Sequence, residues 1–598
     1  MPAPDLSTVP ATVVEALRRL NQIDDFGYTF LDGGGKPTKF AFSALWKAAE
    51  DRARILLGTG LKKGDRVAMV LSQPQDFVIT FLACLVAGLV PVPMYPPLSF
   101  GKLDAWAEGA VNILNAAGAQ LLLTDKQIAS VLWQVMPKVK TLKDLHTIEK
   151  LDTLQATAAA LPDVTPDDIA FLQFTSGSTS APKGVMVSHG NLVANTWAIA
   201  TEGMRISPGD RAVSWLPLYH DMGLIGLVIT PIMRGVETIY IPTLSFVKRP
   251  NIWMQTMHQY KAHYSFGPNF AYALAARRAT ETDLQTWDLS NVRCLGCGAE
   301  PIHAAVMQEF IERFTPCGLK PGVVMPAYGM AEATLAMTFH DLGTDFDTLS
   351  LDAEAFRAGG AVEPPKDDEV ALSFVSVGKP FSGHELGIVD TEGNTLPESR
   401  EGEIVFRGPS VTSGYWQNEE ATAAAYQNGW LHTGDLGFLR DGNLYITGRC
   451  KDLIILNGRN HHPQTIEWAV QDLDGVRKGN VVAFSRPGAE TEELVVVCET
   501  KSDHAADLSD TVKKAVVDAL SLKVSDVVLL GAGQLPKTSS GKLQRRKTRE
   551  QYLSGELGQE GVRTLGSTGE TLNVAKHMAR SLLGRATHMA SKVLARPE

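Results

Sequence analysis

The sequence predicts a two-part α/β fold: a large N-terminal domain of parallel α/β layers with a β-rich subdomain, then a small α+β C-terminal domain. Three observations predict it. Apolar strand-like runs alternate with helical patterns over most of the chain, as in layered parallel sheets. From about Gly378 the texture changes to short strands divided by Gly-rich turns, and after Lys451 a smaller alternating segment begins. At 598 residues the chain exceeds what one core serves, so at least two domains are expected. The expected boundaries are 1–450 with an insertion near 341–369, 451–550, and a tail at 551–598.

The first strand is 66–71, followed by a helix from Gln75. The apolar run 77–90, bounded by Asp76 and Pro91, is shorter than the ~20 residues that span a bilayer. It reads as a buried helix, and no transmembrane segment is expected. Met1 to Asp5 lacks the basic and apolar regions of a signal peptide, so a cytoplasmic enzyme is expected. Strands follow at 169–172 and 185–187, with 188–192 able to cap a helix. Further strands fall at 212–216, 237–241 and 291–296, the last ending in a glycine turn before a helix at Ile302. The β-rich texture comes from 403–408, 437–439 and 444–446; the last α/β segment has strands near 480–485 and 493–499.

Two stretches differ in composition. Residues 341–369 are acidic, with paired glycines and prolines and no clear periodicity, and read as irregular. Residues 572–594 set Val574, Met578, Leu582, Leu583, Met589 and Val593 against Lys576, Arg580, Arg585 and Lys592. A basic amphipathic helix suits peripheral membrane contact or a partner; a solvated helix or frayed tail is the plainer alternative.

Composition excludes some classes. Hydrophobic residues make up 44% and charged residues 20%, ordinary for a globular protein. A net charge of -10 argues against a nucleic-acid partner. Cys294 and Cys297 have C-x-x-C spacing without a second pair or histidine cluster, so they read as reduced structural thiols rather than a metal site.

The chemistry starts at 174–184, Phe-Thr-Ser-Gly-Ser-Thr-Ser-Ala-Pro-Lys-Gly. Glycines let the backbone approach a ligand, main-chain N–H groups and hydroxyls meet phosphate oxygens, and Lys183 adds a positive charge. The loop lacks the Walker A spacing; a Ser/Gly-rich surface loop is the alternative. Tyr328-Gly329-Met330-Ala331-Glu332 offers an aromatic face for adenine and a carboxylate for Mg²⁺. Thr433-Gly434-Asp435 places a carboxylate after a turn, suited to ribose hydroxyls. Arg449 follows at the change of domain, and Lys542 lies on a Gly-Ser loop near the end of the small domain.

In this order and at these separations the motifs resemble the adenylate-forming superfamily, which includes acyl-CoA synthetases, luciferases and peptide-synthetase adenylation domains. The resemblance covers roughly residues 10–550. It implies that the small C-terminal domain is mobile and swings over the active site, with Lys451 at the hinge. It implies ATP as substrate. Thr175, Ser176, Gly177, Ser178, Thr179 and Lys183 would hold the β- and γ-phosphates. Gly298, Ala299, Glu300, Ala327 and Tyr328 would frame the adenine, with Gly329 and Met330 counted in the same nucleotide site. Asp435 and Arg449 would bind the ribose, Glu332 would bind Mg²⁺, and Lys542 would reach the carboxylate and the α-phosphate. The catalytic set is then Lys542, Glu332, His220 and Thr175.

The stretch 216–223 bears on the acid. Amino-acid adenylation domains place an aspartate directly after the aromatic; here His220 follows Tyr219, as in fatty acid activators, and Asp221 comes one residue late. Tyr219, His220, Met222, Gly226, Asn269 and Phe270 are the expected substrate residues. Gly223 and Gly226 would leave room for a chain, while Phe270 could equally serve helix packing.

The strings 218–224, 268–272 and 458–464 are most similar to the fatty acyl-AMP ligases. Asn460-His461-His462-Pro463 departs from the CoA ligase pattern, and 341–369 matches the place of an insertion that marks the acyl-AMP ligases. There the insertion is thought to hinder the rotation that builds a CoA site. The implied acceptor is the phosphopantetheine thiol of an acyl carrier protein, often in a polyketide synthase line. A tolerated surface insertion is the alternative. The rivals are a long-chain acyl-CoA synthetase and, from another class, a non-catalytic scaffold with this fold.

Overall fold

A computed structural model describes residues 6–97, 103–175, 182–366, 371–456, 459–488, 492–501, 505–538, 541–558 and 577–588. Its largest sheet has nine strands, in the order Lys379–Pro380, Ala336–Phe339, Val324–Gly329, Cys294–Cys297, Tyr264–Gly267, Arg211–Ser214, Glu237–Tyr240, Gly27–Leu31 and Pro37–Ala41. The inner strands pair in parallel. The pairs at both edges are antiparallel. A second, wholly parallel sheet orders Val90–Pro93, Arg66–Val70, Leu121–Thr124 and Asp144–Thr147. Its strands are almost wholly buried, which explains why they read as continuous apolar runs.

The helix Pro74–Val86 opens with proline at its first position and Asp76 in its first turn, and every residue from Phe77 to Val86 is buried. Among the described residues no helix is long and apolar enough to cross a membrane. Ser188 and Asn191 form a reciprocal capping box on the helix His189–Ala198. All six cysteines are free. Cys294 and Cys297 are both buried, and three positions apart on one strand their side chains leave opposite faces of the sheet.

The β-rich part is a five-stranded antiparallel sheet built on Glu385–Val389, Gly402–Arg407, Trp430–Arg440 and Asn443–Arg449. Beyond it, Val476–Pro487, Glu492–Thr500 and Val524–Leu530 form a three-stranded sheet with the helices Pro463–Gln471 and Ala505–Leu520.

The segment 341–369 is not the irregular stretch its composition suggests. Thr348–Asp352 pairs antiparallel with Ala371–Val375, and between them Asp352 caps the helix Ala353–Gly359. These elements are five to seven residues long, too short for a period to show. Their apolar partners are remote: Leu351, Phe356 and Phe374 share one core with Phe438, Ile454, Ile466 and Val470. Polar contacts cross the same seam. Arg459 meets Glu354 at 2.5 Å, and Arg357 donates to the Leu520 carbonyl at 3.2 Å. His462 is buried there, its ring 5.9 Å from Phe356 and its Nε2 3.0 Å from Glu401. Burial first, then the nearby cations, lowers His461 to about 4.

Within the tail, 577–588 is helical and lies on its own chain. His577 and Ser581 are buried, Arg580 meets Asp104 at 2.8 Å, and Leu582 and Leu583 are exposed. The remaining residues of the expected 572–594 helix lie outside the described residues.

Because Phe356 is 2% exposed at the centre of the seam, Phe356→Ala should cost about 3 kcal/mol. It should be read as an earlier urea midpoint for the C-terminal segment. A loss below ~1 kcal/mol would show that the insertion is not seated there.

Candidate active site

The loop expected to grip phosphate is carried by a hairpin. Ile169–Thr175 pairs antiparallel with Lys183–Ser188, and Thr175 is the register partner of Lys183. Ser176, Gly177, Ser178 and Thr179 lie outside the described residues. Lys183 Nζ sits 4.9 Å above the Tyr415 ring, and the Tyr415 hydroxyl donates to Glu332 Oε1 at 2.7 Å. The loop's lysine and the expected metal-binding carboxylate are thus joined through one tyrosine. Glu332 is 9% exposed, and burial raises its pKa against the Tyr415 bond. Among the described residues no group of three or more His, Cys, Asp or Glu could hold a metal ion.

Two strand ends build the next wall. Val324–Gly329 delivers Ala327, Tyr328 and Gly329, with Met330 next in the chain; Cys294–Cys297 delivers Gly298, Ala299 and Glu300. A side chain at Gly298 would come within 2.8 Å of the Ala327 carbonyl oxygen, so the two ends approach only because residue 298 is glycine. Ala299 follows at φ 70°, a left-handed conformation that costs a non-glycine residue energy. The Tyr328 hydroxyl donates to Asp435 Oδ2 at 2.7 Å, and Arg449 Nε donates to Asp435 Oδ1 at 3.0 Å. Asp435 and Arg449 are register partners on adjacent strands, which fixes that pair before any ligand arrives.

The wall expected to face the acid starts at His220, whose Nδ1 is 2.5 Å from Asp221 Oδ1. Although burial opposes its ionisation, the His220 contact and the Lys542 charge hold Asp221 down at about 2. Tyr219, Met222 and Gly226 line the same cleft, as do Asn269 and Phe270. The two glycines differ. A side chain at Gly223 would meet the Pro217 carbonyl oxygen at 2.4 Å, so it serves backbone packing; one at Gly226 would lie a tight 3.3 Å from the Leu335 side chain, which can give way more easily than backbone. Glu300 accepts from the Phe270 N–H at 2.8 Å, and Asn269 Oδ1 accepts from the His303 N–H at 3.0 Å. Both side chains therefore position helix ends as well as facing the cleft.

Lys542 enters from the C-terminal segment. Its N–H donates to Thr538 Oγ1 at 3.0 Å, and its carbonyl accepts from the Thr538 N–H at 2.8 Å, closing a tight loop. Burial lowers its pKa, opposed first by Asp221 and then by Glu300. Lys451, on an exposed turn, also borders the cleft. The cleft measures about 2330 Å³, well above the ~300–1,000 Å³ of a single small-molecule site, so a nucleotide and a second substrate fit together.

The structure thus brings Thr175, His220, Glu300, Tyr328, Glu332, Asp435, Arg449 and Lys542 to one cleft. Two residues that matter here were not expected from sequence. Tyr415 stands in a Gly-Tyr-Trp turn with no periodicity to mark it. Asp221, expected to be misplaced for an ammonium, instead faces Lys542.

Lys542→Ala should lower adenylation by about two to three decades, as loss of a preorganised charge does, measured by acid-dependent pyrophosphate exchange. Activity near wild type would remove Lys542 from the chemistry. The working form expected of Lys542 is the protonated amine, and its pKa is lowered. The alkaline fall in kcat/KM should therefore begin below the ordinary lysine range near ~10.4.

Comparison with known proteins adds the following. Residues 24–416 match the family described as AMP-binding enzyme, and 451–561 match the AMP domain of Disco-interacting protein 2-like proteins. A Caulobacter vibrioides protein described provisionally as an acyl-CoA synthetase is 40% identical, over 85% of this chain and 89% of its own. JamA of Moorena producens, a medium-chain-fatty-acid–[acyl-carrier-protein] ligase, is 35% identical over 89% of this chain and 93% of its own. A structure from work on the fatty acyl-adenylate ligases of E. coli and L. pneumophila superposes with a TM-score of 0.87 at 33% identity, covering 93% of this chain and 99% of the other.

Proposed function

We infer the reaction from one premise: this chain belongs to the AMP-binding enzyme family, and within it is a fatty acyl-AMP ligase. It activates a fatty acid with ATP. A carboxylate oxygen attacks the α-phosphorus, the new O–P bond forms, and the bond from that phosphorus to the bridging oxygen breaks, releasing pyrophosphate. The phosphopantetheine thiol of an acyl carrier protein, deprotonated, then attacks the acyl carbon, and AMP leaves.

Both reactants of the first step are anions, so alignment and charge neutralisation are the problem to be solved. The observation that carries the reading is Lys542, half-buried and partly desolvated, in the same cleft as Asp435, Arg449, Tyr328 and Glu332. Lys542 faces the carboxylate and the α-phosphate. Asp435 and Arg449 hold the ribose, Tyr328 the adenine, and Thr175 with Lys183 the pyrophosphate end. His220, fixed by Asp221, borders the entering carboxylate.

A divalent cation fits beside Glu332. Magnesium is commonly held by one or two carboxylates plus substrate phosphates, and the burial that raises Glu332 is what a neighbouring cation would relieve. When bound, Mg²⁺ neutralises charge on the phosphate oxygens. Tyr415 orients the carboxylate that would hold it.

The carrier protein as acceptor is supported by the seam between the insertion and the C-terminal segment. A rotation of that segment to admit CoA would break the Phe356 core contacts, the Arg459–Glu354 pair and the Arg357 bond. The rotating unit is proposed to be 451–550, turning at Lys451, and a cytoplasmic site of action fits these substrates.

Incubation with ATP and a fatty acid should accumulate acyl-AMP, with little acyl-CoA when CoA is added and acylated carrier when a carrier protein is added. Deleting 345–366 should raise acyl-CoA formation at least about tenfold, the change expected when ~1.4 kcal/mol of seam contact is lost. Abundant acyl-CoA from the intact chain would overturn the carrier reading.

A further inference from the structure

The cleft is also bordered by exposed side chains of two N-terminal helices. The helix Thr243–Lys248 buries Phe246 but turns Leu244 and Val247 outward, 60% and 62% exposed. Both also line the cleft, together with Arg277 and Arg278 at the end of the helix Asn269–Arg278. Lys248 and Arg249 complete an exposed basic rim around the two aliphatic side chains.

The charge of this rim is uncompensated. Neither helix carries an acidic residue. Glu281, the next carboxylate in sequence, pairs with Arg313 at 2.9 Å. Among the described residues none of Lys248, Arg249, Arg277 and Arg278 forms an ion pair. Four unpaired cations around two exposed aliphatics are unusual on a chain of net charge -10. Exposed apolar groups rimmed by basic ones are the features of a surface that inserts shallowly among anionic headgroups.

We propose that this rim is a port that docks on an anionic lipid surface and takes up the fatty acid from it. The proposal rests on the fatty-acid reading of the cleft for its purpose, though not for its test. A fatty acid partitions into bilayers, so a port seated on the membrane shortens its path to His220 and spares its chain a passage through water. The carboxylate enters first, drawn past the arginines. The hydrocarbon follows past Leu244 and Val247, along a wall that continues through Phe246, Trp215 and Phe270.

The test is co-sedimentation of the full chain with vesicles free of fatty acid. One set is phosphatidylcholine alone; the other includes phosphatidylglycerol. The chain should sediment with the anionic set and weakly with the neutral one. Each basic residue near an anionic surface changes binding about fivefold, so Lys248→Gln with Arg249→Gln should weaken it by about thirtyfold. Leu244→Ser with Val247→Ser should also reduce it. Leu582→Glu with Leu583→Glu, on the exposed face of the tail helix, should leave it within about twofold. Equal binding to both vesicle sets, no binding, or loss only in the tail variant would overturn the port. Octanoate-dependent pyrophosphate exchange without vesicles, run in parallel, separates the two ideas. If intact chain and Lys248/Arg249 variant exchange equally, the fatty-acid reading stands whatever the vesicles show. If neither exchanges, that reading fails, while vesicle binding still decides the port.

Discussion

A half-buried lysine holds this structure to one arrangement. Lys542 is desolvated, and a desolvated cation is tolerated only with anions near it. Asp221 and Glu300 are those anions, and both come from the N-terminal part of the chain. The C-terminal segment therefore brings its own reason to be seated: with Lys542 elsewhere, Asp221 loses a positive neighbour. The same logic runs through a second charged group, within the C-terminal segment. Arg545, half-buried, is shared between Glu467 at 2.6 Å and Asp452 at 3.4 Å, so the loop that carries Lys542 is anchored to the chain just past Lys451. ATP and the acid add charge to a frame whose own charges are already matched.

The insertion and the His461-His462 pair have one structural explanation. Phe356, Arg357 and Glu354 come from the insertion; His462 and Arg459 come from the start of the C-terminal segment; all five meet at one seam. A histidine lowered to about 4 at position 461 stays neutral across the physiological range, so it packs as an aromatic amide-sized group without bringing a charge inside. The two departures from the CoA ligase pattern are two sides of a single contact.

The sequence made the strand–helix alternation, the buried helix after Asp76 and the cap at Ser188 readable, because in each a local pattern and the tertiary environment agree. Site residues at strand ends, such as Tyr328, Asp435 and Arg449, were legible because glycines flank them and mark the turns. The 341–369 segment was not legible as structure. Its strands owe their burial to Phe438, Ile454 and Val470, roughly 65 to 120 residues away, and no window along the chain spans that distance. Tyr415 and Asp221 were hidden for a related reason: their importance lies in what they face, Glu332 and Lys542, and pairing across the fold leaves no periodic trace. Gly223 was legible as a small residue but not as a packing one, since the Pro217 carbonyl that excludes a side chain there becomes visible only in three dimensions.

Cys450 lies between two residues that border the cleft and is exposed, whereas the other five cysteines are buried. An acyl adenylate is an electrophile, and a nearby thiolate would be a natural site of accidental self-acylation. Partial burial, and then the negative charges of Glu403 and Asp435, push the Cys450 thiol up to about 11. At neutral pH its reactive form is then on the order of one part in 10⁴. Glu403 and Asp435 thus keep the enzyme's own sulfur quiet, leaving the activated acyl group for the incoming thiol.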